Sequence, residues 1–244
     1  MPYGFLLLTT VYSLLSTHYL LLIMFTITVS SEIKKACPEF AGIAVYAAVE
    51  NCRYNDGLWE EITAFTEELM STTTIEDIKL QPAIAATRQA YKRCGKDPGR
   101  YRPSAEALRR RLMRGIPLYQ IDNLVDLINL VSLRTGYSIG GFDADKIQGT
   151  HIELGIGKVD EPFEAIGRGM LNIDGLPVYR DVVGGIGTPT SDNERTKMEL
   201  ETKHILAIVN GYSGKEGLMQ AAAMIQELLR KYAESDGGTV ICFE

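Results

Sequence analysis

Two hydrophobic periodicities divide the chain near residue 136. Before it, apolar side chains recur at helical spacing. Leu58, Trp59, Ile62, Phe65 and Leu69 predict an amphipathic helix over residues 57–70. Pro82 stands where a second helix begins, and Gly95 where it ends. Ser104 opens a third, and Asp122 caps a fourth. In the fourth, Leu124, Val125, Leu127, Ile128 and Val131 cover more than one face, which predicts burial. After residue 136 glycines multiply, and short alternating runs such as His151 to Ile156 predict strands. Gly175-Leu176-Pro177 and Gly184 to Gly187 read as turns. Phe25 to Val29 alternates apolar residues with Thr, while Gly42 to Val49 and His204 to Val209 are continuous apolar runs. All three read as strands, the last two as buried ones. Leu218, Ala221, Ala222, Ile225, Leu228, Leu229 and Tyr232 predict a C-terminal helix, and Thr239 to Phe243 a final strand. Helices dominate the N-terminal half and strands the C-terminal half, so the fold class is α+β rather than regular βαβ winding.

Residues 4–29 are almost all apolar or hydroxylated, with no Lys or Arg before Lys34. The run is long enough to span a bilayer. It lacks the basic start and the small-residue cleavage site of a signal peptide. The reading adopted is that residues 1–23 are an upstream extension from a misassigned start, and that residues 24–244 form the domain. A membrane anchor is the alternative. The four cysteines and three histidines have no metal-ligand spacing, so no metal is expected. The cysteines read as free thiols in a cytoplasmic protein. No P-loop or dinucleotide fingerprint is present, so no nucleotide cofactor is expected.

The net charge is −6, but it is unevenly spread. Between Arg88 and Arg114 lie ten basic and two acidic side chains. Such a segment on an acidic body can attract phosphate locally, and Arg100, Arg102, Arg109, Arg110 and Arg111 are the candidate RNA contacts. The competing reading is a solvated helical face with carboxylate partners. A second candidate is the polar loop Thr188, Thr190, Ser191, Asp192, Glu194, Arg195 and Thr196, a dense set of hydrogen-bonding side chains between apolar strands. Ser191 to Glu194 also has capping-box spacing, a structural role. Gly140-Gly141 either lets backbone approach a ligand or makes a tight turn. Asp143 either orients a ligand amine or water, or bonds turn amides.

Three stretches, taken in order, resemble the standalone B3/B4 domain family. The first runs from Arg88 through Lys96-Asp97-Pro98 and Arg100-Tyr101-Arg102-Pro103-Ser104 to Leu108. The second is Asn123 to Val131 with Gly140-Gly141-Phe142-Asp143 and Lys146-Ile147. The third is Thr188 to Lys197. The resemblance implies a layered β/β/α domain. It also implies the activity of the related domain in the phenylalanyl-tRNA synthetase β-subunit, which binds the 3′ end of tRNA and hydrolyses wrongly attached tyrosine. Two departures stand out. The family's Thr-Asn pair on the long helix reads Ile128-Asn129, and the loop histidine after that helix is replaced by Gly140. Ester hydrolysis would then rest on positioned water and donors. Asp192 and Glu194 are the catalytic candidates. Asn129, Gly140, Gly141, Asp143, Thr188, Thr190, Ser191, Arg195 and Thr196 are the ligand-binding ones. The expected partner is tRNA or aminoacyl-tRNA, not DNA, with no cofactor. A trans-acting deacylase competes with a binding module for tRNA or an amino-acid-like molecule, and with a membrane-anchored protein that rests on residues 4–29 alone.

Overall fold

The computed structural model describes residues 25–244. The expectation of an extension or anchor over residues 1–23 lies outside them. Among the described residues no helix is long and apolar enough to cross a membrane.

The core is a four-stranded antiparallel sheet with β2 (Ala41–Ala48) and β9 (His204–Gly211) at its centre. They are flanked by β10 (Thr239–Phe243) and β3 (Ile139–Asp143), in the order β10-β2-β9-β3. Alternate residues of each strand point to opposite faces. Ile43, Val45 and Ala47 of β2, with Ile205, Ala207 and Val209 of β9, face a helical layer. Ala44, Leu206 and Ile208 face a second sheet. Both faces are therefore covered, which is why these two strands read as unbroken apolar runs.

The second sheet has the order β1-β4-β7-β8, from β1 (Thr26–Val29), β4 (His151–Ile156), β7 (Pro177–Arg180) and β8 (Gly185–Gly187). Only the β1–β4 pair is parallel. Ile27, Val29, Ile152, Leu154 and Tyr179 of this sheet close on Phe142, Leu206 and Ile208 of the first. On the other side lie α2 (Asp56–Thr72), α5 (Asn123–Thr135) and α6 (Leu218–Tyr232). Leu218, Ala221, Ala222, Ile225, Leu228 and Leu229 recur every three or four residues along α6 and put one stripe against β2 and β9. Burying each large side chain of this stripe is worth about 1.5–3 kcal/mol. The layers run sheet, sheet, helices: the β/β/α arrangement.

Shorter elements complete the chain. Helix α1 (Ser31–Ala36) follows β1, and α3 (Pro82–Arg93) and α4 (Ser104–Leu112) carry the basic segment. A two-stranded hairpin, β5 (Glu164–Ala165) and β6 (Gly169–Met170), sits over its own cluster of Tyr91, Phe163, Ile173, Leu176 and Val178. The turn read at Gly175-Leu176-Pro177 is present and leads into β7, which starts at Pro177, whereas of the turn read at Gly184–Gly187 only Gly184 lies in the β7–β8 connection and Gly185–Gly187 are strand β8. The four cysteines are free.

Candidate functional site

A cleft of about 730 Å³ opens between α5, β3 and the loop 192–201. Helix α5 begins at Asp122, whose carboxylate accepts the Val125 amide at 2.9 Å. It ends at Gly136, whose φ of +80° suits glycine. Between those stops Val125, Ile128, Asn129 and Ser132 line the cleft, three and four residues apart on one helical stripe. Ile121 at the rim is fixed by Asp126, which accepts the Ile121 amide at 3.2 Å and the Trp59 indole N–H at 2.8 Å. Burial pushes the Asp126 carboxyl up to about 6 against those two hydrogen bonds.

The opposite wall is edge strand β3. Gly140-Gly141 is strand rather than turn, because Gly140 pairs with Ile208 and Gly141 with Ala207. On the free edge, the Gly141 N–H donates to Asp192 Oδ2 at 3.1 Å. The Asp192 main chain is held as well, since its carbonyl accepts the Ile166 amide at 3.0 Å. Its carboxyl, half-buried at the cleft wall, is pushed up to about 7 by burial, with the single Gly141 hydrogen bond opposing. Glu194 follows on a short 3₁₀ turn (Glu194–Thr196) and lies 3.1 Å from the Lys197 ammonium. The mouth is completed by Arg53, Ser104, Ile166-Gly167 at the hairpin tip, and Met198 to Glu201. Five carboxylates, of Asp122, Asp192, Glu194, Glu199 and Glu201, stand against the cations of Arg53 and Lys197.

The cleft thus gathers Asn129, Gly141, Asp192 and Glu194 from the sequence candidates. The others are engaged in structure. Arg195 forms a bidentate pair with buried Asp181, both contacts at 2.9 Å, so its two terminal nitrogens are committed to a structural ion pair. Thr188 Oγ1 donates to the Ser191 carbonyl and accepts the Thr190 and Ser191 amides, an internal turn. Thr190 bonds the buried Tyr91 hydroxyl at 2.8 Å. Ser191 leans on the Asp192 carbonyl, and Thr196 is fully buried. Asn193, not Ser191, caps the turn at Glu194. Asp143 accepts from Thr202 Oγ1 at 2.8 Å and from the Asp145 amide at 3.1 Å, so it serves the chain reversal after β3. Gly140 has ordinary strand φ but faces the sheet interior, where an added Cβ would lie 2.7 Å from the Phe142 ring. An imidazole there would have to displace Phe142, and its Cβ would lie 3.3 Å from Asp192 Oδ1.

The basic segment is folded around buried Glu106. That carboxylate takes Arg88 at 2.8 Å, Arg110 at 2.7 Å and Arg102 at 3.7 Å. Arg109 is turned inward and donates to the Leu133 carbonyl at 2.5 Å, so it is not placed to meet phosphate. Arg111 donates to the Pro117 carbonyl and stacks 3.7 Å over the Tyr119 ring. Arg100 is exposed. Arg53, Ser132, Met198, Glu199 and Glu201 escaped sequence reasoning. Ser132 and Val125 were within reach of it, at three and four residues from Asn129. Arg53 and the two glutamates carry no local signal.

The sequence profile of the B3/4 domain family matches residues 86–232, more than half the chain. The chain belongs to the B3/4 domain family. The matched span of this B3/4 protein includes α5, β3 and the loop bearing Asp192 and Glu194, and leaves out Arg53. Among solved structures it is similar to an N-terminal fragment of the phenylalanyl-tRNA synthetase β-subunit from Pyrococcus horikoshii. The match has a TM-score of 0.45 and 18% identity, and covers 88% of this chain and 50% of that one. The B3/4 chain therefore spans about half the length of that fragment. No curated protein matches it.

Proposed function

We propose that this B3/4 protein is a tRNA-related domain whose cleft takes the aminoacyl end of a charged tRNA and hydrolyses the ester in trans. The observation that carries the reading is the Asp192 carboxyl, held by the Gly141 amide at 3.1 Å in a cleft that Asn129 also lines. A base whose pKa lies near neutrality is matched to removing a proton from water. In the proposed step, a water oxygen attacks the ester carbonyl carbon while Asp192 takes its proton. The Asn129 amide orients the acyl group, and the ribose oxygen leaves and regains a proton. The amino acid is released with its carboxylate, and the tRNA with a free 3′ end. Five carboxylates around the cleft favour a ligand end that carries an ammonium group and disfavour phosphate inside it. Phosphates are left to the rim, where Arg53 stands, and to Arg100 and Arg102, which precede cleft residue Ser104.

A binding module is the second reading, favoured by the placement of the imidazoles. His151 bonds Thr28 and His204 bonds Asp145, and neither lines the cleft. The experiment is to incubate the protein with a panel of mischarged tRNAs and follow amino-acid release. Release that falls about 100-fold in Asp192→Asn at pH 8 supports hydrolysis with Asp192 as base. Binding without release from any member makes it a module. Absence of both binding and release refutes both readings.

A further inference from the structure

The apolar part of the cleft has a specific geometry at Gly141. A Cβ built there would lie 2.7 Å from the Met198 methyl and 3.7 Å from Ile128 Cγ1. The Met198 side chain therefore occupies the space that any larger residue at 141 would need. Val125, Ile128 and Ile139 continue the same surface, and all four side chains are aliphatic or thioether. The Gly141 amide, on the same residue, holds the Asp192 carboxyl. One backbone unit thus joins the carboxyl to the apolar floor, a separation on the scale of a single amino-acid residue.

We infer that Met198, seated on Gly141, is the specificity-determining residue of the cleft, and that the ligand is an aminoacyl group with an uncharged apolar side chain whose size Met198 limits. This rests on the aminoacyl reading above. The charge of the cleft supports the exclusion of acidic side chains, since a further carboxylate would join a lining whose carboxyl groups outnumber its cations five to two. Methionine suits a floor that discriminates by volume, because its unbranched thioether fills an irregular gap and its terminal methyl moves readily. Size discrimination in an apolar pocket is worth roughly 10–200-fold for each methylene.

Gly141→Ala and Met198→Ala move this floor in opposite directions. The first crowds the Met198 methyl, which would lie 2.7 Å from the new Cβ, and so narrows the floor; the second removes it. The test uses amide-linked 3′-aminoacylamino-adenosines, which cannot be hydrolysed, carrying alanyl, valyl, leucyl, phenylalanyl and glutamyl groups. Binding is measured by calorimetry for the native chain, both variants and the double variant. The native chain should rank the apolar groups above glutamyl. Met198→Ala should move the optimum to a larger side chain by at least 10-fold in relative affinity, Gly141→Ala to a smaller one, and the double variant should return toward the native ranking. An unchanged ranking in a folded Met198→Ala, or a native preference for glutamyl, overturns the inference while leaving aminoacyl binding intact. Absence of binding by any analogue overturns the aminoacyl reading itself.

Discussion

Replacing Asp192 by Asn tests the site without tRNA, through stability. The amide is nearly isosteric and its Oδ1 can still accept the Gly141 N–H. Burial pushes the folded-state carboxyl up to about 7 from an ordinary 3.8. The folded chain thus keeps a proton that the unfolded chain releases near pH 4. Between those values the folded state binds more protons, so this group's contribution to stability falls as pH rises and the loss is complete above about pH 7. Three units at about 1.4 kcal/mol each would give roughly 4 kcal/mol. Because Asp192 is partly open to cleft solvent, we halve this to about 2 kcal/mol. Asn has no such dependence. Native and variant should therefore have similar stability near pH 4, and Asp192→Asn should be the more stable by about 2 kcal/mol at pH 8. For a chain of this size that is a Tm difference of about 4–8 °C. Denaturant titrations and thermal melts at both pH values measure it. If the gap between native and variant is the same at pH 4 and pH 8, the carboxyl is not held protonated by burial, and its candidacy as a base tuned to neutrality fails.

Glu106→Gln should destabilise the fold by about 3 kcal/mol in urea unfolding, because it leaves Arg88, Arg102 and Arg110 gathered without their buried charge. A loss under 1 kcal/mol would mean that the three arginines stabilise little through that contact. For tRNA binding, Arg100→Ala and Arg102→Ala should each flatten the dependence of log K on log salt by about 0.7 if each meets a phosphate. Arg109→Ala should lower stability and leave that slope alone. A slope change in Arg109→Ala would contradict its inward placement.

The layered fold was legible where burial leaves a periodic mark. The helix read over 57–70 runs from Asp56 to Thr72, and the run read as a strand from Gly42 is β2. Continuous apolar strands and striped helices encode their own faces. What stayed hidden depends on partners distant in sequence. Gly140-Gly141 carries the composition of a turn, and only pairing with Ile208 and Ala207 makes it strand. Glycine is needed there for space, under Phe142 on one face and Met198 on the other. The loop 188–196 is rich in polar groups, but most are satisfied within the fold, Thr188 inside the loop, Thr190 by Tyr91, and Arg195 by Asp181 fourteen positions earlier. Composition cannot separate a self-satisfied loop from one that turns its polar groups to a ligand. The acidic cleft drew Arg53 from one connection and Glu199 and Glu201 from another, and no local pattern joins them.

The pairing of β2 sets the order in which the molecule can assemble. Its neighbours on both sides, β9 and β10, lie more than 150 residues further along the chain. Strand β1 likewise waits for β4. During synthesis β1 has no partner until β4 emerges and β2 none until β9, so contacts of high sequence separation must form late and slowly. In the interim β2 is an apolar strand with two open edges, a hazard for intermolecular pairing. Helices α2 to α5, made of local contacts, can form first. Removing β10 would leave β2 with a permanent open edge, so a chain cut before Thr239 should aggregate even where its helices persist.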